Sequence, residues 1–265
     1  YLKQKKLFDK NQNTLLLYDE YLERLSNCQS RLLKRFSHLA QINESGQHNE
    51  DSIISGTEHL PDFGGYESWQ QNGMSCLVDG NYEIDSYSSF WQNPVENGTI
   101  SAGCWSYPDG GLHLGLDIAS AMYSDVLAVA NGIILYAHAP MDSNNGYLGN
   151  WCGWPNGGGN TICMVVAVND RLYAISYAHL SNEIYVTSGQ QVSQGTVIAK
   201  SGNSGNSTGP HTHVEVFELK QDLNSIVEYF RNSGADFSFG CGYSEAATCS
   251  GYTCRIDPET VLEGV

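Results

Sequence analysis

Residues 209–216 have the sequence GPHTHVEV, in which polar and apolar side chains alternate after a Gly-Pro pair. Because successive side chains of a β-strand point to opposite faces, the alternation predicts a strand with its valines on the buried face. His211, His213 and Glu215 then share the other face, which points away from the core. The Cα atoms of the two histidines would be about 7 Å apart, so both imidazoles reach one cleft. The alternative is a pair of solvated surface histidines.

The rest of the chain continues this β pattern from residue 126 onward. Short runs of β-branched and aromatic residues alternate with turn residues, which is typical of an antiparallel, mostly β domain. The predicted strands cover residues 126–130, 132–137, 161–168, 172–178, 192–199 and 214–219. One helix is predicted at 223–232, and we place the whole domain at 66–265.

The N-terminal residues have a different pattern. Over residues 1–45 the apolar side chains recur at spacings of three and four, which predicts one long α-helix of coiled-coil type. A single helix cannot bury such a stripe, so we expect a coiled-coil partner or self-association. The alternative is that the helix packs on the domain. Residues 46–65 are polar and contain glycine, and they are predicted to be a linker.

Charge excludes some classes of partner. Residues 1–50 contain eight basic and six acidic side chains, a net charge of +2, whereas residues 51–265 contain five and 23, a net charge of −18. Because residues 51–265 are so strongly negative, they repel phosphate groups. This excludes nucleic acids and anionic membrane surfaces as partners. The sequence has no apolar run of the roughly 18 residues that span a bilayer.

The eight cysteines of the chain favour disulfide bonds over a zinc–thiolate site. They stand at positions 28, 76, 104, 152, 163, 241, 249 and 254, and none forms a CxxC pair. Their even number suits an oxidising compartment. Free thiols in a cytosolic protein are the alternative, and the pairing is left open.

A second set of candidate metal-binding residues is His113 and Asp117, which form an HxxxD pattern. On a straight strand these residues would lie about 13 Å apart, too far to share an ion, so Gly115 between them predicts a bend. Two neutral imidazoles and a carboxylate form a suitable zinc set, and three protein ligands leave a position for water. The pattern alone does not say whether His211 or His213 completes the set.

The order of the motifs is more specific than any one of them. HxxxD at 113–117, YAHL at 177–180 and GNSGNSTGPHTH at 202–213 follow each other along the chain. Together with DVLAVANG at 125–132 and RIDP at 255–258, they resemble the M23 family of zinc peptidases, the lysostaphin-like peptidoglycan endopeptidases. The resemblance runs from about residue 100 to residue 260.

This resemblance implies both a fold and a set of roles. It implies a lysostaphin-like antiparallel β domain in which His113, Asp117 and His213 bind zinc while His179 and His211 flank the water and the substrate carbonyl. The implied activity is zinc-dependent hydrolysis of peptide bonds in peptidoglycan stems or cross-bridges. The implied location is extracellular, periplasmic or in the bacterial cell envelope.

Two other functions fit the same sequence. One is a non-catalytic module that keeps the zinc site and binds the cell wall or activates another hydrolase. The other is a metallopeptidase that acts on Gly-rich proteins. A serine nucleophile at Ser207 is disfavoured, because Pro210 and a β-branched run follow where a nucleophile elbow needs a helix. The loop at 140–159 is interpreted as a groove wall for a peptide or as a disulfide-stapled surface loop.

Overall fold

The computed structural model of the chain describes residues 66–262, so the predicted helix at 1–45 and linker at 46–65 lie outside the described residues. The described part is built mainly from short and medium β-strands, with two α-helices and one 3₁₀ turn. In chain order these are α1 (Tyr66–Gly73), β1 (Thr99–Ala102), β2 (Trp105–Ser106), β3 (Leu112–His113), β4 (Leu116–Ala119), β5 (Asp125–Leu127), β6 (Gly132–His138), β7 (Asn160–Val168), β8 (Arg171–Ile184), β9 (Gln191–Val192), β10 (Val197–Ser201), β11 (His211–Leu219), α2 (Leu223–Asn232), β12 (Thr253–Ile256) and the 3₁₀ turn Pro258–Thr260.

One antiparallel sheet of ten strands dominates the domain. Seven strands follow the order β1-β4-β11-β8-β7-β6-β9, β12 pairs with β11, and β10 pairs with both β5 and β8. The strands β2 and β3 form a separate two-stranded ribbon. The prediction of a mostly antiparallel β domain is therefore confirmed, and β11, with its HxH pattern, is a central strand with neighbours on both sides.

The sheet is buried on both faces along its central strands. All nine residues of β7 are buried. In β11, Val214 and Val216 pack into one apolar cluster, as predicted, while Phe217 packs into a second cluster on the opposite face. The strand face that carries the histidines is thus covered, beyond Glu215, by the apolar cluster that contains Phe217. Burial of an aromatic side chain such as Phe217 contributes about 1.5–3 kcal/mol.

The helix α2 covers part of the second apolar cluster, and its bounds match the predicted 223–232. The N-terminal cap is Asp222, whose carboxylate accepts a hydrogen bond from the Ser225 backbone amide. Four side chains at helical spacing are buried against the sheet: Leu223, Ile226, Val227 and Phe230. Neither helix of residues 66–262 combines the length and the apolar character needed to cross a bilayer.

Several elements differ from the prediction. The run 126–130 forms a strand only as β5, and β1 to β4 and β12 were not among the predicted strands. The run 192–199, predicted as one strand, is divided between β9 and β10, because Gly195 adopts a φ of +76° in a turn where Thr196 donates its amide hydrogen to the Ser193 carbonyl. The short helix α1 was not predicted. It is fixed by long-range contacts, including a hydrogen bond from the Tyr136 hydroxyl to the Trp69 carbonyl, which a local pattern does not show.

The disulfide prediction is confirmed for part of the cysteines. Cys249 forms a disulfide bond with Cys254, which lies in β12. Cys104, Cys152, Cys163 and Cys241 are free thiols. The alternative of a disulfide-stapled loop at 140–159 is therefore wrong, since Cys152 inside the loop and Cys163 after it are both unpaired.

Candidate metal centre

The HxxxD pattern folds as the expected bend. His113 ends β3, Asp117 lies in β4, and the chain turns at 114–115 between them. A Cβ atom at Gly115 would lie 2.8 Å from His213 Nε2 and would also overlap the Val214 carbonyl oxygen. Gly115 is therefore required for the close approach of β11.

The pairing of β4 with β11 brings the three predicted metal ligands together. His213 is the direct register partner of Asp117. Asp117 Oδ1 lies 2.8 Å from His213 Nδ1 and 3.1 Å from His113 Nε2, and the two ring nitrogens are 3.1 Å apart. We call His113, Asp117 and His213 the metal cluster. Its three ligand atoms all lie within 4.8 Å of one another, and two imidazoles with one carboxylate are a donor set that zinc accepts.

The hydrogen bond of His113 fixes which of its nitrogens faces the cluster. Its Nδ1–H donates to the Gly103 carbonyl oxygen at 2.7 Å, so the lone pair of Nε2 points toward Asp117. His213 has the opposite orientation, with Nδ1 toward Asp117 and Nε2 outward. Each ring thus presents one nitrogen to a shared space, as a metal-binding histidine must.

The charge of the metal cluster is concentrated on Asp117. Burial opposes its ionisation, but hydrogen bonds with His113 and His213 hold the pKa of the Asp117 carboxyl well below its usual range. Burial likewise favours neutral His213, yet the hydrogen bonds to Asp117 and Glu215 raise the pKa of His213 to about 10. The cluster therefore attracts positive charge, and a divalent cation can replace the proton of His213.

His179 reaches the same space through an irregularity in β8. Between Ile162 and Asn160 the register of β7 with β8 shifts by one residue, and His179 adopts a φ of 60°, rare for a residue other than glycine. Such a β-bulge turns a side chain out of the regular strand pattern. The strained backbone is held by a hydrogen bond from the His179 amide to the Gly158 carbonyl at 2.8 Å.

The side chain of His179 is held as a neutral base. Its Nδ1–H donates to the Ser204 carbonyl oxygen at 2.8 Å, which leaves Nε2 unprotonated. Burial, with smaller effects from the neighbouring histidines, lowers the pKa of His179 to about 3. Its ring lies 4.7 Å from that of His211 and 6.0 Å from that of His213, between centroids.

His211 lies at the start of β11, beside the metal cluster. Its Nδ1–H donates to the Gly209 carbonyl at 2.8 Å, with the Ser207 hydroxyl 3.2 Å away, and its Nε2 lies 3.5 Å from Asp117 Oδ1. Burial lowers the pKa of His211, although the Asp117 carboxylate opposes the shift. We call His179 and His211 the flanking pair. The structure thus brings all five predicted site residues into one space.

Three residues at the site had not been predicted. The Tyr107 ring stacks on His113, with centroids 4.2 Å apart, and burial raises the pKa of Tyr107 to about 12. Glu215 and Arg255 form a buried ion pair behind His213. No motif marks Tyr107. Glu215 shares the strand face of the two histidines and Arg255 begins the RIDP motif, so each had a signal in the sequence, but neither signal pointed to their ion pair.

The loop at 140–159 packs beside the flanking pair. Gly158 supports His179, and the amide of Tyr147 donates to the Gly205 carbonyl at 3.3 Å in the segment that leads to His211. Leu148 and Trp151 expose 74% and 60% of their surface. That this loop forms a groove wall for a peptide stays a prediction. The exposed apolar side chains of Leu148 and Trp151 are compatible with it.

Part of the chain matches a known protein family and several known proteins. Residues 111–225 match the model of Peptidase family M23. The chain is 31% identical over 169 residues to glycyl-glycine endopeptidase ALE-1 of Staphylococcus capitis, covering 62% of this chain and 40% of that protein. It is 32% identical over 114 residues to the peptidoglycan DD-endopeptidase ShyA of Vibrio cholerae, covering 43% of this chain and 22% of that protein.

A solved structure is similar as well. The catalytic domain of lysostaphin from Staphylococcus simulans has 31% sequence identity, with 49% of this chain and 86% of that chain covered and a TM-score of 0.36. The chain spans less than half the length of the two curated relatives. The family model and the curated relatives confirm the resemblance found in the sequence, and residues 111–225 of the chain match peptidase family M23.

Proposed function

We propose that this chain is a zinc-dependent endopeptidase that hydrolyses peptide bonds in the stems or cross-bridges of bacterial peptidoglycan. The observation that carries the proposal is the convergence of the metal cluster and the flanking pair on one space beside β11. The names of the relatives support the substrate class, since one is a glycyl-glycine endopeptidase and the other a peptidoglycan DD-endopeptidase.

The metal cluster would hold zinc through His113 Nε2, Asp117 Oδ1 and His213 Nδ1. The donor chemistry fits, because both imidazole lone pairs and a carboxylate oxygen face one space. When bound, zinc supplies an electrophilic centre that polarises a carbonyl group and lowers the pKa of water toward 7. Three protein ligands leave a position open, which is typical of catalytic zinc sites.

The flanking pair would move the protons. Both rings direct Nδ1–H to a backbone carbonyl and keep Nε2 unprotonated, so either can accept a proton from the attacking water. A ring that has become protonated can stabilise the negative oxygen of the tetrahedral intermediate and then give the proton to the leaving amine. Positioned acid–base groups of this kind contribute roughly 10²–10⁴-fold in rate.

The same proposal includes a location outside the cytoplasm, in the extracellular space, the periplasm or the cell envelope of a bacterium. The disulfide of Cys249 and Cys254 supports it, since such bonds persist in oxidising compartments. A coiled-coil partner or self-association through residues 1–45 remains a proposal that rests on the sequence pattern alone.

The test is clearance of purified cell walls. Suspensions are followed by turbidity with the chain alone, with a chelator, and with zinc restored. We expect clearance that the chelator abolishes and zinc recovers. Binding to the walls without clearance would instead identify the non-catalytic module, and clearance that survives complete chelation would contradict the zinc mechanism.

The substrate class needs a second measurement. Soluble muropeptides with Gly-Gly bridges or D-Ala cross-links are digested beside a panel of Gly-rich proteins, and products are identified by mass spectrometry. We expect cleavage of a muropeptide. Cleavage confined to the proteins would favour the metallopeptidase that acts on Gly-rich proteins.

A further inference from the structure

One imidazole of the site is oriented differently from the other three. His113, His179 and His211 each donate Nδ1–H to a backbone carbonyl and keep Nε2 for the site. His213 instead directs Nδ1 to Asp117, at 2.8 Å from Oδ1. Its Nε2 therefore points away from the metal cluster, and another group must set the tautomer of this ring.

The group next to His213 Nε2 is the carboxylate of Glu215. Glu215 Oε1 lies 3.5 Å from that nitrogen, and both side chains are only 13–14% exposed. The two residues are i and i+2 on β11, so the strand itself places them side by side on one face. A metal-binding histidine commonly donates its second ring N–H to a carboxylate or carbonyl, which fixes the tautomer and the ring orientation.

Glu215 is in turn held by Arg255. The Arg255 Nε–H donates to Glu215 Oε2 at 3.0 Å, and the arginine side chain is fully buried. The remaining guanidinium nitrogens donate to the carbonyls of Gly242 and Glu245 at 2.7 and 3.1 Å. A planar guanidinium with this many fixed contacts has little freedom to turn, so the carboxylate of Glu215 is held in one position.

Stability alone does not account for this buried pair. Replacing a buried ion pair by apolar side chains of similar volume is often neutral or stabilising, whereas removing one partner costs about 3–5 kcal/mol. The pair faces His213 Nε2, so a second role for it is to orient the His213 ring.

We propose that Glu215, held by Arg255, is a positioning residue for His213: it accepts the Nε2–H and so keeps Nδ1 as the metal-binding atom. The inference rests on the proposed function, because it gives the pair a purpose only if His213 binds zinc. It adds a second layer of residues to the metal cluster, and it links zinc affinity to β12, which lies 40 residues further along the chain.

The experiment measures zinc affinity in matched double variants of the full chain. Glu215→Leu with Arg255→Met removes both charges, so that no buried charge is left unpaired. The control is Glu218→Leu with Arg171→Met, because these two residues form an exposed ion pair between β11 and its other neighbour β8. Zinc affinity is determined by competition with a chromogenic chelator, and the melting temperature is recorded beside it.

We expect zinc to bind roughly 10- to 100-fold more weakly in the Glu215 double variant and unchanged in the Glu218 control. Glu215→Gln with Arg255→Met restores an acceptor oxygen, and it should recover part of the lost affinity. The cobalt-loaded protein should show an altered visible spectrum in the Leu variant alone. These readouts separate orientation of a ligand from a general loss of stability.

Unchanged zinc affinity in the Glu215→Leu, Arg255→Met variant would overturn the positioning role while leaving the proposed function intact. The same holds if the Gln variant binds zinc as weakly as the Leu variant. A chain without any substitution that fails to bind zinc would overturn the proposed function itself.

Discussion

The metal cluster and the flanking pair contain the same kind of side chain in opposite electrostatic surroundings. In the metal cluster, burial of His213 is outweighed by hydrogen bonds to Asp117 and Glu215, which raise its pKa to about 10. In the flanking pair, burial dominates and lowers the pKa of His179 to about 3. The neighbouring carboxylates therefore decide which imidazoles attract a cation and which stay neutral to accept a proton.

The largest expected effect comes from removing the carboxylate of the metal cluster. Asp117→Ala leaves His113 and His213 without the charge that lies between them, so we expect loss of both bound zinc and hydrolysis. Elemental analysis and muropeptide cleavage measure the two losses. Asp125→Ala is the control, because Asp125 forms an exposed ion pair with Lys200. Stoichiometric zinc in the Asp117 variant would show that this carboxylate is not needed to bind the metal.

The next effect isolates the flanking pair. His211→Ala should retain zinc, because its ring belongs to the neutral pair, yet turnover should fall roughly 10²–10⁴-fold. Zinc content and rate are measured on the same preparation, with the chain that has no substitution as the reference. Loss of zinc from this variant would assign His211 to the metal cluster and count against the division into two regions.

A smaller effect tests the close approach of β11 to the bend. In Gly115→Ala the new methyl group would lie against His213 Nε2 and the Val214 carbonyl. We expect a loss of about 1–3 kcal/mol in the free energy of unfolding, measured by urea denaturation, together with weaker zinc binding. Gly251→Ala is the matched control, since a Cβ there meets nothing within 4 Å. Equal stability of the two variants would refute the packing argument.

A last effect, on stability alone, concerns a half-buried histidine outside both regions. Burial lowers the pKa of His138 from 6.5 to about 4, the same cause that acts on His179. Between those pH values the unfolded chain binds more protons at this residue than the folded chain does, so stability falls as pH falls from 6.5 to 4.

His138→Leu should remove that contribution, worth up to roughly 3 kcal/mol at pH 4. Urea denaturation at pH 4.5 and pH 7.5 measures the difference in slope, and the pH 7.5 value serves as the internal reference. The substitution also removes an Nδ1 atom that has no hydrogen-bond partner within the described part of the chain. An unchanged dependence of stability on pH would show that burial is not the cause of the shift.

The sequence predicted β11 and the bend beside it because the signals there are local, whereas β3 and β4, which carry His113 and Asp117, were not among the predicted strands. The alternation at 209–216 gave β11 with Val214 and Val216 buried, and the glycine at 115 gave the bend between His113 and Asp117. The assignment of His213 as the metal ligand came from the family resemblance and remains a proposal.

What the sequence could not predict depends on contacts between distant segments. Arg255 reaches Glu215 only because β12 pairs with β11, so that Phe217 is the register partner of Arg255. Tyr107 meets His113 only through the ribbon of β2 and β3. Neither contact follows from a spacing in the chain. The break of the run 192–199 had a local signal in Gly195, which the β-branched residues around it outweighed.

The bulge at His179 changes the phase of β8. Before it, Tyr173, Ile175 and Tyr177 point into one apolar cluster; after it, Leu180 points into the same cluster, at an even-numbered position. A strand that kept its phase would send Leu180 to the opposite layer. Losing or gaining one residue here would therefore exchange the two layers along the part of β8 that follows the bulge, so the fold constrains the length of this strand.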